Sequence, residues 1–345
     1  MNFIKLVINL IKKDYNKIDK QGALLFFVKF FVHIVFNRQL RNIRKKALTK
    51  FRIPKKITFT QKINLENSFL ISSHSGLYLK NDNQILPILE NCGGFFGIDY
   101  FDNKYFAACF GSGGHTRGCL VSFKISNKAL YDFKIVFKKR FQYFHGLKIH
   151  LNYLYLCDSS WLLNHTYIHK FEITGNEIKK ISSKEIKFDD VTQKEFLNYC
   201  HVNTIKIFEN KIYLLFHNMT KYTNIPSKVL IFDKDLKYLS KLNFVDNLQS
   251  AHDFEINEKY KSILDSDNSI FYCNKEFIKI EDYFLRGFYD DKESFYIGLS
   301  TKKDQTNPKS IAGIAKINKN PFKLDKIENV NLNGITSILK INNIV

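Results

Sequence analysis

The sequence predicts an all-β chain made of a repeated four-stranded unit, preceded by a helical arm spanning residues 1–56. Three observations carry this expectation. From about residue 68 the apolar residues fall into short alternating runs, the two-residue period of half-buried strands. Those runs recur with a shared grammar, strand, tight polar turn, strand. The positive charge sits ahead of them. Of 53 Lys and Arg in 345 residues, 15 lie in residues 1–56 against only Asp14 and Asp19, so 13 of the net charge of +20 belongs to the arm.

In the arm, Phe3, Ile4, Val7, Ile8, Leu10 and Ile11 follow helical spacing. The run Ala23–Phe36 is apolar but too short to cross a bilayer, which needs about 20 residues. Lys29 interrupts it and no small-residue cleavage site follows, so it does not read as a secretory signal. A dense basic stretch, Arg38 to Lys56, comes next. An aromatic-rich helix beside a basic cluster suits an anionic membrane surface. A helical hairpin packed on the main domain fits the same pattern. Nucleic-acid reading is disfavoured: only 7 of the 53 basic residues are Arg, the residue suited to phosphate forks and base edges.

The repeats occupy residues 68–345. Strand–turn–strand units start near Gly93, Phe144, Cys200, Ala251 and Leu285, each turning on Asn, Asp, Glu or Lys. A last unit, from Asn333, stops after one strand, whereas Phe69 to Leu89 holds three strands without a first. Three plus one completes a unit. Pairing the two ends removes exposed strand edges, the solution used by β-propellers, so the prediction is six blades with one shared between the termini. Two packed sheets are the competing fold, and they do not predict a split unit.

In such a ring the start of each innermost strand and the end of each second strand converge on one rim of the central channel. The first set reads Gly94, His145, His201, His252, Arg286 and Asn333; the second reads His74, residues 111–115, Asp158, His217, Asp265 and Ser300. Three consecutive blades place His at one register. His145, His201 and His252 are therefore the candidates for a divalent metal site or for general acid–base work, with Asp158 and Asp265 as carboxylate partners. Arg286, with His115 and Arg117 in the loop GSGGHTRG, offers positive charge to a carboxylate or phosphate, and His74 and Asn333 complete the ligand-binding set. The alternative is a polar lining that ties blades together. The six Cys contain no CxxC pair and read as core residues of a reducing compartment.

This grammar resembles six-bladed propellers of the gluconolactonase, strictosidine-synthase and NHL-repeat kind, and more closely bacterial propellers of unassigned function. The resemblance rests on Phe144-His145-Gly146-Leu147, Arg286-Gly287-Phe288 and Gly298-Leu299-Ser300. The gluconolactonase-like group implies a divalent cation held by Glu, Asn and Asp; here three strand starts carry His instead. The expected function is a channel site for a small anionic or sugar-like ligand, with a divalent metal and hydrolase or isomerase chemistry in view. A non-enzymatic scaffold for a protein or glycan partner is the second expectation. The expected location is cytoplasmic, on the inner membrane face through the arm, without specific nucleic-acid binding.

Overall fold

The computed structural model describes residues 56–59, 63–65, 68–81, 84–90, 94–109, 117–140, 144–160, 165–175, 177–186, 201–217, 225–301, 312–332 and 334–341. The predicted helical arm lies outside them, apart from Lys56. So do His115 and Asn333.

The described strands pair into six antiparallel sheets, each a blade of a β-propeller. Blade 1 runs outward from Phe95–Phe101 through Lys104–Cys109 and Arg117–Ile125 to Ala129–Arg140. Blade 2 starts at Phe144–His150, followed by Tyr153–Ser160, His165–Thr174 and Glu177–Glu185; blade 3 starts at Val202–Phe208 and ends at Tyr238–Leu242. Blades 4 and 5 start at His252–Ile256 and Tyr283–Asp290. Blade 6 is the predicted composite. Its innermost strand, Ile335–Lys340, pairs with Phe69–Ser73, and Gly76–Lys80 and Ile85–Glu90 complete it. The ring is thus closed by strands from the two ends of the repeat region.

Closure follows from strand alternation. Neighbouring side chains point to opposite faces of a blade, so each strand serves two interfaces. In blade 6, Leu70, Leu77 and Leu79 pack with Phe95, Tyr105 and Val121 of blade 1. The intervening Ile71 and Tyr78 pack with Ile314 and Val330 of blade 5. Six core clusters result, one between each pair of adjacent blades.

One strand extends the fold beyond its predicted start at residue 68. Lys56–Thr58 pairs Lys56 with Tyr131 and Thr58 with Ala129, adding a fifth strand to blade 1. Ile63, just after it, is buried in the adjoining core. Three residues with Lys at their head give too little alternation to stand out beside the basic stretch. Among the described residues no helix is long and apolar enough to cross a membrane.

All six innermost strands share an irregularity. Each carries one residue more than its partner, within 95–97, 144–147, 202–204, 252–254, 286–288 and 335–337. Such bulges increase twist and break strict alternation. Consecutive residues therefore line the channel, as in Phe96 to Asp99 and His145 to Lys148. At the same level neighbouring strands nearly touch. A Cβ on Gly146 would stand 2.7 Å from the Asn203 carbonyl oxygen, and one on Gly287 (φ +72°) 2.8 Å from the Ser337 Cα. Where the blades carry longer residues, these bond across. Asn203 Nδ2 donates to the Ala251 carbonyl at 3.1 Å, and Asp253 Oδ2 accepts from the Phe288 N–H at 2.9 Å.

Candidate functional site

The channel encloses about 290 Å³, lined by residues of all six innermost strands. Its mouth carries the predicted histidines in a continuous circuit of rings. Phe96 meets His145 at 4.9 Å between ring centres, His145 meets His201 at 4.4 Å, His201 meets His217 at 5.6 Å and His217 meets His252 at 4.4 Å. Arg286 closes the circuit. Its Nη2 donates to His252 Nε2 at 2.7 Å and its Nη1 to His74 Nε2 at 3.0 Å, while His74 returns to Phe96 at 5.4 Å.

These bonds settle protonation. A guanidinium has only donors, so both Nε2 atoms must be acceptors and carry no proton. His74 and His252 are therefore neutral, with the proton on Nδ1. His252 Nδ1 faces the Ser250 carbonyl at 2.8 Å and Ser266 Oγ at 3.0 Å. The Ser266 hydroxyl proton goes to the Leu285 carbonyl at 2.7 Å, which leaves its oxygen to accept from His252. Burial, reinforced by the Arg286 charge, lowers His201 to about 4 and His74 to about 3. Burial likewise holds His145, His217 and His252 well below the usual range. All five imidazoles are in their base form at neutral pH. Arg286 is lowered by burial only to about 10 and stays charged.

Arg286 also stacks over Phe284 at 5.1 Å. Its Nε has no hydrogen-bond partner, and among the described residues no carboxylate pairs with the guanidinium. His201 Nδ1, on a side chain 9% exposed, has no partner either. The mouth thus holds one uncompensated positive charge beside polar atoms with spare bonding capacity.

Deeper in the channel the charges are paired. Lys206 Nζ lies 2.9 Å from Glu255 Oε2 and 3.6 Å from Asp253 Oδ1. Burial works against its charge, but Glu255 and Asp253 more than offset this and raise its pKa. Asp99 Oδ2 takes the Ile149 N–H at 2.7 Å and lies 3.4 Å from Lys148. These carboxylates bond to the backbone of a neighbouring blade or to a buried Lys, so they read as blade-to-blade ties.

His145, His201, His252, Arg286 and His74 are thus brought together as expected from their register. Two predicted partners are not. Asp158 is fully buried inside blade 2, its Oδ2 3.1 Å from His169 Nε2. Asp265 accepts from the Gln249 N–H and Asn268 Nδ2, both at 3.0 Å, and ties a turn. Neither lines the channel. Arg117 opens the third strand of blade 1. Among the described residues no group of three or more His, Cys, Asp or Glu side chains is placed to hold one ion. Edge-to-face ring packing and the Arg286 bond to His252 use the geometry otherwise.

Phe96 is the member the sequence reading missed, because it assigned Gly94 to blade 1. Matching Phe95-Phe96-Gly97 to Phe144-His145-Gly146 finds it. His217, directly after the second strand of blade 3, completes the circuit.

No protein-family model and no curated protein matches the sequence. Among solved structures, the chain resembles a candidate 6-phosphogluconolactonase from Bacteroides uniformis, with 10% identity, 80% of this chain and 99% of that one covered, and a TM-score of 0.48. It also resembles virginiamycin B lyase from Staphylococcus aureus, with 11% identity, 69% of each chain and a TM-score of 0.40. A subtype N10 neuraminidase-like protein of A/little yellow-shouldered bat/Guatemala/060/2010 gives 11% identity, 73% of this chain, 96% of that one and a TM-score of 0.43. Similarity at this level transfers no activity.

Proposed function

We propose that the channel mouth binds a small anion, a carboxylate or phosphate on a ligand of about monosaccharide size. One observation carries the reading: a channel-facing Arg286 that donates to two neutral histidines and has no carboxylate partner among the described residues. A desolvated guanidinium without a counter-ion is unfavourable by itself and is relieved by an oxyanion. The neutral imidazoles add N–H donors without competing charge. The cavity, about 290 Å³, is at the low end for small-molecule sites, and Phe96 gives it apolar surface. Neutral His145 and His201 are also in the state required of a general base, which keeps hydrolase or isomerase chemistry as an extension of the binding reading.

Calorimetric titration with inorganic phosphate, acetate and glucuronate tests it. Arg286→Met is expected to weaken binding at least about tenfold, the loss of one charge-assisted pair. Equal affinity in the variant and the parent overturns the proposal. Metal analysis of the purified protein addresses the other reading: a stoichiometric metal that disappears in His201→Phe would favour a metal centre. The arm's charge of +13 supports attachment of the propeller to an anionic membrane surface.

A further inference from the structure

Asp158, absent from the channel, belongs to a different constellation on blade 2. Three successive strands of that blade contribute one residue each. Asp158 Oδ2 lies 3.1 Å from His169 Nε2, and His169 Nδ1 lies 2.7 Å from Ser183 Oγ. Burial falls outward: Asp158 and His169 are fully buried, whereas Ser183 is exposed on the outermost strand. A carboxylate accepts only, so His169 carries its proton on Nε2 and presents a bare Nδ1 to the serine hydroxyl. This is the chain of roles that activates a serine: an orienting carboxylate, a base held in one tautomer, and an accessible hydroxyl donating to that base.

The surroundings agree. His169 and Ser183 are direct partners across the strand pair, and a bulge lies two residues earlier, where Lys170 pairs with Ser182 and Phe171 with Lys180. Bulges re-aim side chains. Among the described residues Glu177–Glu185 is outermost in its sheet, so backbone N–H groups on its outer edge have no described ladder partner and can face an oxyanion. Phe137 of blade 1 lies edge-on to His169 at 5.3 Å, and Lys180 Nζ stands 4.9 Å over the Phe137 ring. An apolar surface is therefore at hand for an acyl group. None of the three residues lines the channel.

We propose that Ser183 is a nucleophile for acyl transfer from small carboxylic esters, with His169 as its base and Asp158 as the positioning residue. Ser183 Oγ attacks the ester carbonyl carbon while its proton passes to His169 Nδ1. The carbonyl re-forms, the bond to the leaving oxygen breaks, and that oxygen takes the proton from Nδ1 to depart as an alcohol. Water, deprotonated by the same Nδ1, attacks the acyl carbon; the acyl–Oγ bond breaks, Oγ recovers the proton from Nδ1, and the carboxylic acid leaves. Asp158 holds Nε2–H throughout.

The test is labelling of the full-length protein with an ethyl fluorophosphonate probe, read by peptide mass spectrometry. Ser182, exposed on the same strand and on its other face, is the internal reference. Ser183 is expected to label about 100-fold faster than Ser182, the usual worth of a positioned base. Asp158→Asn keeps the shape and is expected to slow Ser183 labelling at least about tenfold, through the wrong imidazole tautomer. Ser183→Ala removes the adduct with an unchanged melting temperature. Equal labelling of Ser183 and Ser182 overturns the proposal. So does an unchanged Ser183 rate in a folded Asp158→Asn protein, since a structural network would alter the melt and not the rate.

Discussion

Acidification should loosen the propeller through the mouth histidines, and His201 allows the size to be worked out. Its folded-state pKa is about 4, lowered from 6.5 by burial and by Arg286. Between those values the unfolded chain binds the proton and the folded one does not. Stability from this group is therefore fully present above pH 6.5 and is lost as pH falls toward 4. At pH 5 the imbalance is about 30-fold, or about 2 kcal/mol for His201 alone. For a domain of this size that lowers the melting temperature by roughly 4 °C relative to pH 7.5. Carboxylates whose pKa is raised by burial, such as Asp253 and Asp265, act in the opposite direction, so the comparison must be made against a variant. His201→Phe is suitable, because Phe96 already packs on His145 from the other side of the circuit. Differential scanning calorimetry of both proteins at pH 7.5 and 5.0 should show a smaller acid-induced drop in the variant by that amount. An identical drop in both would mean that His201 titrates normally and that the mouth is wetter than its packing indicates.

Gly287→Ala places a methyl group 2.8 Å from the Ser337 Cα at φ +72°, and should cost about 2–4 kcal/mol in denaturant unfolding. Gly175→Ala, at φ +57° with nothing within 4 Å, should cost only about 1 kcal/mol, which separates crowding from backbone strain. Lys206→Met leaves the buried Glu255 and Asp253 carboxylates without their cation and should cost about 3–5 kcal/mol by the same measurement. A protein beginning at Ile53 should sediment less with anionic vesicles than the full chain while melting at the same temperature. The cut must precede Lys56, because a start near Thr58 removes a strand of blade 1.

The ring was legible because strand period and turn chemistry are local signals that repeat. The split blade followed from counting: Phe69 to Leu89 lacked a first strand and Gly334 to Asn342 lacked the other three. The register of the mouth was legible only in part. His145, His201, His252 and Arg286 stand beside recognisable neighbours, but the bulge in every innermost strand breaks the alternation on which residue-by-residue alignment depends. The inner position of blade 1 is therefore Phe96, two residues beyond Gly94. Asp158 and Asp265 illustrate a second limit. A polar residue ending a second strand can turn to the channel, to a loop or to the next strand of its own blade. The choice depends on a partner 11 residues away in one case, His169, and on Gln249 in the other, 16 residues earlier.

The two polar constellations differ in how they manage charge, and that difference sets what each can do. At the mouth, two imidazoles share one guanidinium and the described histidines are held neutral, so among the described residues the unbalanced charge is that of Arg286. Such a site attracts an anion, and an anion beside His201 would in turn raise its pKa toward neutrality. On blade 2 the carboxylate of Asp158 is buried directly against His169. There the imidazole is polarised toward accepting a proton from Ser183, before any ligand arrives. Binding at the mouth should accordingly vary with ionic strength and weaken at least about tenfold on removing one arginine. Reactivity at Ser183 should be indifferent to Arg286 and sensitive to a single oxygen-to-nitrogen change at Asp158. A protein in which Arg286→Met altered both properties equally would show that the blades transmit strain between them, and that the two sites do not act separately.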